Sequence, residues 1–202
     1  MKTSFFMIAV VLLVAGLTSC KEKPNNETGD LFFEISPNSK SQLIEKEVNG
    51  ITFKFCLLNE QGQPATVFNE GENFSFYFSV TNNTEEKLFY VPEIVRSNDS
   101  FCKVFNAYNQ DFGKPYIAGA INMIGIAAYM LDVNEIREFK QQWIDERDSW
   151  QWEHTHFKSS YREPLIRGNY YTIIKHKFEF MLDNGIKFYI DSVNLKINFQ
   201  IK

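Results

Sequence analysis

The chain has 202 residues, room for one domain with a tail, and 44% of them are hydrophobic, which excludes a disordered chain. Aromatics are abundant, with 20 Phe and 9 Tyr, so there is material for a large core. A net charge of −4 excludes the basic footprint of a nucleic-acid binder, and three His and three Cys exclude a rich metal or redox centre.

The chain opens with an address. Lys2 supplies a short positive segment, and Phe5 to Gly16 form an apolar stretch shorter than the ~20 residues of a spanning helix. Leu17-Thr18-Ser19-Cys20 follows. This order resembles a bacterial lipoprotein signal ending in a lipobox. The resemblance implies a signal peptide over 1–19, cleavage before Cys20 and a lipid on the Cys20 sulfur. It implies a cell-envelope protein anchored to the outer membrane, on its periplasmic or its surface face. A diacylglyceryl group meets the need for more than one acyl chain in stable attachment. An ordinary secretory signal containing a Cys is the alternative.

Residues 20–47 are expected to be the lipidated Cys and a flexible tether. Within them, 21–30 carry no aliphatic or aromatic side chain. Leu31-Phe32-Phe33 either packs on the domain or starts a strand, and Pro37-Asn38-Ser39 interrupts it.

The folded domain is expected over 48–202, and it reads as strands. Ile51, Phe53, Phe55 and Leu57 alternate with Thr52, Lys54, Cys56 and Leu58. Turn clusters follow at 59–64 and 69–73. Phe74, Phe76, Phe78 and Val80 then alternate with Ser75, Tyr77, Ser79 and Thr81, a pattern with one buried and one wet face. A half-wet alternation predicts antiparallel pairing. Near the C-terminus, Tyr170, Thr172, Ile174, His176, Phe178 and Phe180 share a face, and Asp183-Asn184-Gly185 marks a tight turn. Ile186, Phe188 and Ile190 follow, then Val193, Leu195, Ile197, Phe199 and Ile201. Short strands separated by turn signals predict an all-β antiparallel sandwich, with one short helix or irregular insertion.

Two stretches resist that pattern. Residues 117–131 are apolar and without clear period, suited to a packed connection, a short helix or an exposed partner patch. Over 134–146, Ile136, Phe139, Trp143 and Ile144 fit a helical stripe, so periodicity alone predicts a helix there.

The order of the pieces GITFKFCLLNEQGQP, VFNEGENFSFYFSVTN, FCKVFNAYNQDFGKPY, DVNEIREFKQQW and PLIRGNYYTI resembles an immunoglobulin-like domain of bacterial lipoproteins. It is also similar to the bacterial intracellular-proteinase-inhibitor (BsuPI-type) domain. The likeness spans about residues 48–181 and rests on packing and turn motifs. It implies an immunoglobulin-like sandwich and an extended chain over 136–144. It implies no catalytic residues, and no inhibitory loop matches residue by residue.

With Cys20 spent on lipid, Cys56 and Cys102 remain, both in predicted strands. As a disulfide they would close a loop of about 46 residues, worth ~4 kcal/mol in the chain-entropy model; as free thiols they would sit in the core. An extended Trp150–His156 run lines Trp150, Trp152, His154 and His156 along one face. The indoles, joined by Tyr161, suit stacking against a sugar ring, or else they fill the core with the His residues at its rim. Two His at this spacing lack the further ligands of a stable metal site. His176 reads as a core residue, and Asp145, Glu146 and Asp148 as a solvated loop. No phosphate loop, G-x-S-x-G or H-E-x-x-H occurs.

These residues lead to the expectation of a non-enzymatic, lipid-anchored binding or adhesion module. It takes no cofactor and no nucleic acid, meets the membrane through Cys20, and has a glycan or protein partner. A structural or assembly subunit docking through 117–131 is the alternative, and a small hydrolase comes third.

Overall fold

The computed structural model describes residues 31–90, 100–115, 128–144 and 163–202, and among these there is no helix. Among the described residues eleven strands run in chain order: β1 (Leu31–Ile35), β2 (Ile44–Val48), β3 (Ile51–Leu58), β4 (Val67–Phe68), β5 (Ser75–Asn82), β6 (Leu88–Tyr90), β7 (Val104–Asn106), β8 (Tyr129–Leu131), β9 (Ile136–Gln142), β10 (Gly168–Leu182) and β11 (Lys187–Ile201). One sheet has the order β1-β11-β10-β6-β8, with β4 added beside β11 and β7 beside β10. The other is β2-β3-β5-β9. The expected β-sandwich is what the chain forms.

The inward alternation of β3, β5, β10 and β11 makes one core between the sheets. Rings meet across it: Phe53 and Phe178 lie 4.5 Å apart, and Phe74 and Phe199 5.3 Å apart. Such rings each contribute roughly 1.5–3 kcal/mol by leaving water.

The long hairpin β10–β11 turns at Asp183-Asn184-Gly185, where Gly185 takes φ +81°. Its register shifts once, between His176 and Phe178. There β11 spends two residues, Asp191 and Ser192, opposite Lys177, and Ser192 takes φ 50°. This bulge is why the inward set of β11 changes phase between Ile190 and Val193. His176 stands at the bulge, half-buried, its ring edge-on to Phe178.

Four expectations change. The helix over 134–146 is replaced by β9, which pairs with β5 from Ser75↔Gln142 to Thr81↔Ile136. Phe139 lies opposite Phe78 there, Ile136 is exposed, and the burial of Trp143 and Ile144 belongs to the end of the strand. The extended reading implied by the resemblance fits this segment.

The tether over 20–47 differs in its second half, because β1 and β2 carry residues 31–35 and 44–48 into the two sheets. Leu31, Phe33 and Ile35 place apolar side chains over Val193, Leu195 and Ile197, and that burial outweighs the interruption at Pro37. β2 is fixed to β3 by Asn49-Gly50, both at positive φ, the backbone of a two-residue hairpin turn.

Third, the sandwich is not wholly antiparallel. β1 and β4 each join β11 in parallel, and each is linked along the chain to a strand of the opposite sheet (β1 to β2, β4 to β3) rather than to β11 by a hairpin. Fourth, the wet face expected for β5 is largely closed: Ser75 and Ser79 are buried, as are Thr52, Cys56 and Leu58 beside them on β3.

The sandwich has two distinct ends. The hairpin end gathers the 183–186 turn, Asn49-Gly50, and the 83–87 and 132–135 connections. The far end gathers the 59–64 and 69–73 turns, Ile144, Glu163 to Gly168, and Lys202.

Candidate functional site

The far end is built by polar side chains that hold chain ends together. Asn73, just before β5, clamps Ile144 at two points: its Nδ2 donates to the Ile144 carbonyl at 2.9 Å, and its Oδ1 accepts from the Ile144 amide at 3.0 Å. Trp143 is buried against Phe74, with its ring parallel to that ring at 6.0 Å. Its indole N–H donates to the Glu163 carbonyl at 3.0 Å. The Tyr170 hydroxyl donates to the Ile166 carbonyl at 2.8 Å, and Leu165 is buried in the core.

Ile144 and Glu163, the described residues that flank 145–162, are thus held close together. That segment contains Trp150, Trp152, His154, His156 and Tyr161, which lie outside the described residues, as do Asp145, Glu146 and Asp148. Cys20 and residues 117–127 also lie outside them.

Beside the far end, on the outer face of the β10–β11 sheet, stands an aromatic surface that the sequence reading did not single out. Phe105 and Tyr171 stack at 5.1 Å, with planes 16° apart. The Lys196 ammonium lies 5.0 Å from the Tyr171 ring, and that of Lys103 5.9 Å from the Phe105 ring. The Tyr171 hydroxyl donates to Asn109 Oδ1 at 2.9 Å. Asn106 Oδ1 accepts from the amides of Tyr108 and Gln110, which closes the turn and leaves Tyr108 at its tip, 91% exposed. The signal was present in Phe105-Asn106-Ala107-Tyr108-Asn109-Gln110, where aromatic and amide side chains interleave.

Next to this surface, Glu34 accepts hydrogen bonds from Asn198 and Lys196, which hold its carboxyl below the usual carboxylate range.

The two described cysteines are free and buried. Cys56 lies on the outer face of the four-stranded sheet, opposite Tyr77, whereas Cys102 lies in the core between the sheets. A sheet separates them, so the expected alternative of a disulfide is replaced by the two buried thiols. Cys102 also departs from its predicted strand: it occupies a turn closed by Lys103 N–H to the Ser100 carbonyl, with φ 61°. Burial pushes the Cys56 thiol up to about 12 and the Cys102 thiol well above its ordinary value. Neither is a ready thiolate nucleophile.

Among the described residues, no group of three or more His, Cys, Asp or Glu is placed to hold a metal ion. No protein-family model and no curated protein matches the chain. Among the described residues, no helix is long and apolar enough to cross a membrane.

Proposed function

We propose that this chain is a lipid-anchored, non-enzymatic binding module of the cell envelope. It is a sandwich of immunoglobulin-like type that presents the 145–162 segment to a glycan. The observation that carries the reading is the polarity of the sandwich. β1 begins beside Val193, near the middle of β11, and runs towards the far end, so its first residue, Leu31, is on the side of the hairpin end. The 145–162 segment departs and returns at the opposite end, between Ile144 and Glu163. A tether joined at Leu31 and an aromatic-rich segment joined at Ile144 and Glu163, nearer the far end, suit a protein that reaches away from its membrane.

The exposed Tyr108 and the Phe105–Tyr171 stack support the same end as the ligand side. Flat rings beside amide groups suit sugars, whose C–H faces meet the ring while hydroxyls find polar partners at its edge.

Two experiments test the reading. Cys20→Ala is expected to leave the membrane fraction or to keep its signal uncleaved; a matured variant bound as tightly as wild type would sink the anchor. On a glycan array, Trp150→Ala with Trp152→Ala is expected to abolish binding while the fold survives. An array without hits for the wild type, or a double variant that unfolds, removes the indoles as a ligand site.

A further inference from the structure

The four-stranded sheet ends in two edges of different kinds. β2 is one edge and β9 the other, and among the described residues no strand lies beyond either. β9 has 7 residues and no Pro or Gly, and its Ile136, Glu138, Lys140 and Gln142 are exposed. An edge strand of that length, with open hydrogen-bonding groups, is a template for another strand.

The phase of β9 decides which groups are open. Its ladder with β5 is bracketed by two bonds: the Trp143 amide donates to the Phe74 carbonyl at 2.9 Å, and the Asn82 amide to the Glu135 carbonyl at 3.1 Å. Bonded pairs alternate along an antiparallel ladder. Arg137, Phe139 and Gln141 therefore bond to β5, and the amides and carbonyls of Ile136, Glu138, Lys140 and Gln142 point to the free edge.

A second copy of β9, laid antiparallel about a two-fold axis at Phe139, matches this phase. Each open residue meets an open residue: Ile136 meets Gln142 of the copy, and Glu138 meets its Lys140. Opposite charges then face each other on the outer face, and symmetry repeats the pair. Phe139, half-buried and 6.0 Å from the Phe78 ring, meets its own copy in the closer, non-hydrogen-bonded kind of pair, which covers its open side. Moving the axis by one residue sets Glu138 or Lys140 against itself. β2 has no such register: about Lys46 it sets Glu45 against Glu47 and Lys46 against Lys46. Tyr129 and Met130, exposed on β8, extend the surface beside β9, where Arg137 donates to the Met130 carbonyl at 3.1 Å.

We propose that two copies of this chain pair through β9, in the register centred on Phe139, so that their four-stranded sheets become one continuous sheet. Main-chain bonds supply the contact, and the Glu138–Lys140 pairs select the register.

The test is sedimentation of the full chain in a density-matched detergent. Wild type is expected to form dimers. Glu138→Lys and Lys140→Glu each set like charges opposite one another, and each should raise the dimer dissociation constant about tenfold or more. The double variant Glu138→Lys with Lys140→Glu restores the pairs and should return it to within about threefold of wild type. A second measurement reads the register directly. After mild oxidation, Glu138→Cys chains mixed with Lys140→Cys chains should cross-link several-fold more than either variant alone; Cys56 and Cys102 are buried and stay out of the reaction. Wild type that stays monomeric at ~0.1 mM overturns the proposal. So does a dimer that neither reversal weakens, or a weakening that the double variant does not repair. Should a reversed variant lose its fold, the cross-link decides: equal yields alone and in the mixture overturn the pairing.

Discussion

The two sheets solve the problem of their outer faces differently. In the β10–β11 sheet long charged outward side chains pair with one another, beside aromatic ones: Lys196 with Glu34, Lys177 with Asp191, and Lys187 with Glu179. In the four-stranded sheet the two central strands mix short outward side chains with long ones, and Ser75, Ser79 and Cys56 are out of water. Ser79 stands opposite Lys54 on one side and Glu138 on the other, and Tyr77, two residues along, reaches Glu138 with its hydroxyl at 2.6 Å. Short residues in the shadow of long ones become buried without belonging to the core. Alternation in sequence therefore reports which face is apolar, not which face is wet.

The largest effects are expected where the sheets are alike. Phe78 on β5 and Phe199 on β11 both face the shared core and are buried. Phe78→Ala and Phe199→Ala should each cost ~3–5 kcal/mol, a large share of a domain's stability. Denaturant midpoints measure this. An unchanged midpoint for one of the pair would show that its sheet does not lean on the common core.

The next effect belongs to a corner between the sheets. Asn82 ends β5, fully buried, and its Nδ2 donates to the carbonyls of Glu86, Leu131 and Asp132 at 2.9, 3.0 and 3.3 Å. Its Oδ1 accepts from the Thr84 amide and hydroxyl. Asn82→Ala leaves these groups without that partner and should cost ~2–3 kcal/mol, whereas Asn82→Asp should cost at least as much by aiming a carboxylate at carbonyl oxygens. Thermal unfolding of both variants checks the order. If Ala proves worse than Asp by a clear margin, the side chain is needed for its shape rather than its N–H donors.

Much of this was legible in the sequence, and the exceptions have physical causes. β3, β5, β10 and β11 were readable because long strands with one apolar face repeat the signal several times. The break at Asp191-Ser192 even separated the two phases of β11, because a bulge must shift the inward set by one. β1 was one of two readings of Leu31-Phe32-Phe33, left open because it has only five residues, and β2 was hidden because it is the short, charged edge strand Ile44-Glu45-Lys46-Glu47-Val48. The helical stripe at 136–144 arose from an exposed Ile136 and from Trp143 and Ile144, which pack beyond the strand; only Phe139 of the four faces inward along β9. The aromatic surface at Phe105 and Tyr171 was missed because its two rings meet from strands distant in sequence.

Cys56 sharpens the contrast between outer faces. It is buried on the outer face of the four-stranded sheet, and burial holds its thiol protonated. Cys56→Ser puts a stronger hydrogen-bonding group into the same place and should cost ~1–2 kcal/mol. Cys56→Ala should cost less than Cys56→Ser, since it asks for no hydrogen-bond partner. Equal midpoints for Cys56→Ser and wild type would mean that water reaches this face.

The smallest effect is expected on the other outer face, at Glu34. Asn198, then Lys196, lowers its carboxyl pKa by hydrogen bonding to the ionised form. A carboxylate depressed on folding stabilises the native state at pH values above its unfolded pKa. That contribution is lost as pH falls through the lowered folded value, because the proton then binds both states. Glu34 and Lys196 are partly exposed, so solvent and salt screen the pair and Glu34→Gln should cost less than ~1 kcal/mol at neutral pH. The difference between Glu34→Gln and wild type should shrink towards zero as the solution is acidified below the ordinary carboxylate range. A gap that persists in acid would assign the effect to the Asn198 hydrogen bond, which Gln partly keeps, rather than to charge. A cost above that of Cys56→Ser would reverse the ranking of the two outer faces. It would mean that the contacts of Glu34 with Asn198 and Lys196 on one outer face contribute more to the fold than the dry packing around Cys56 on the other.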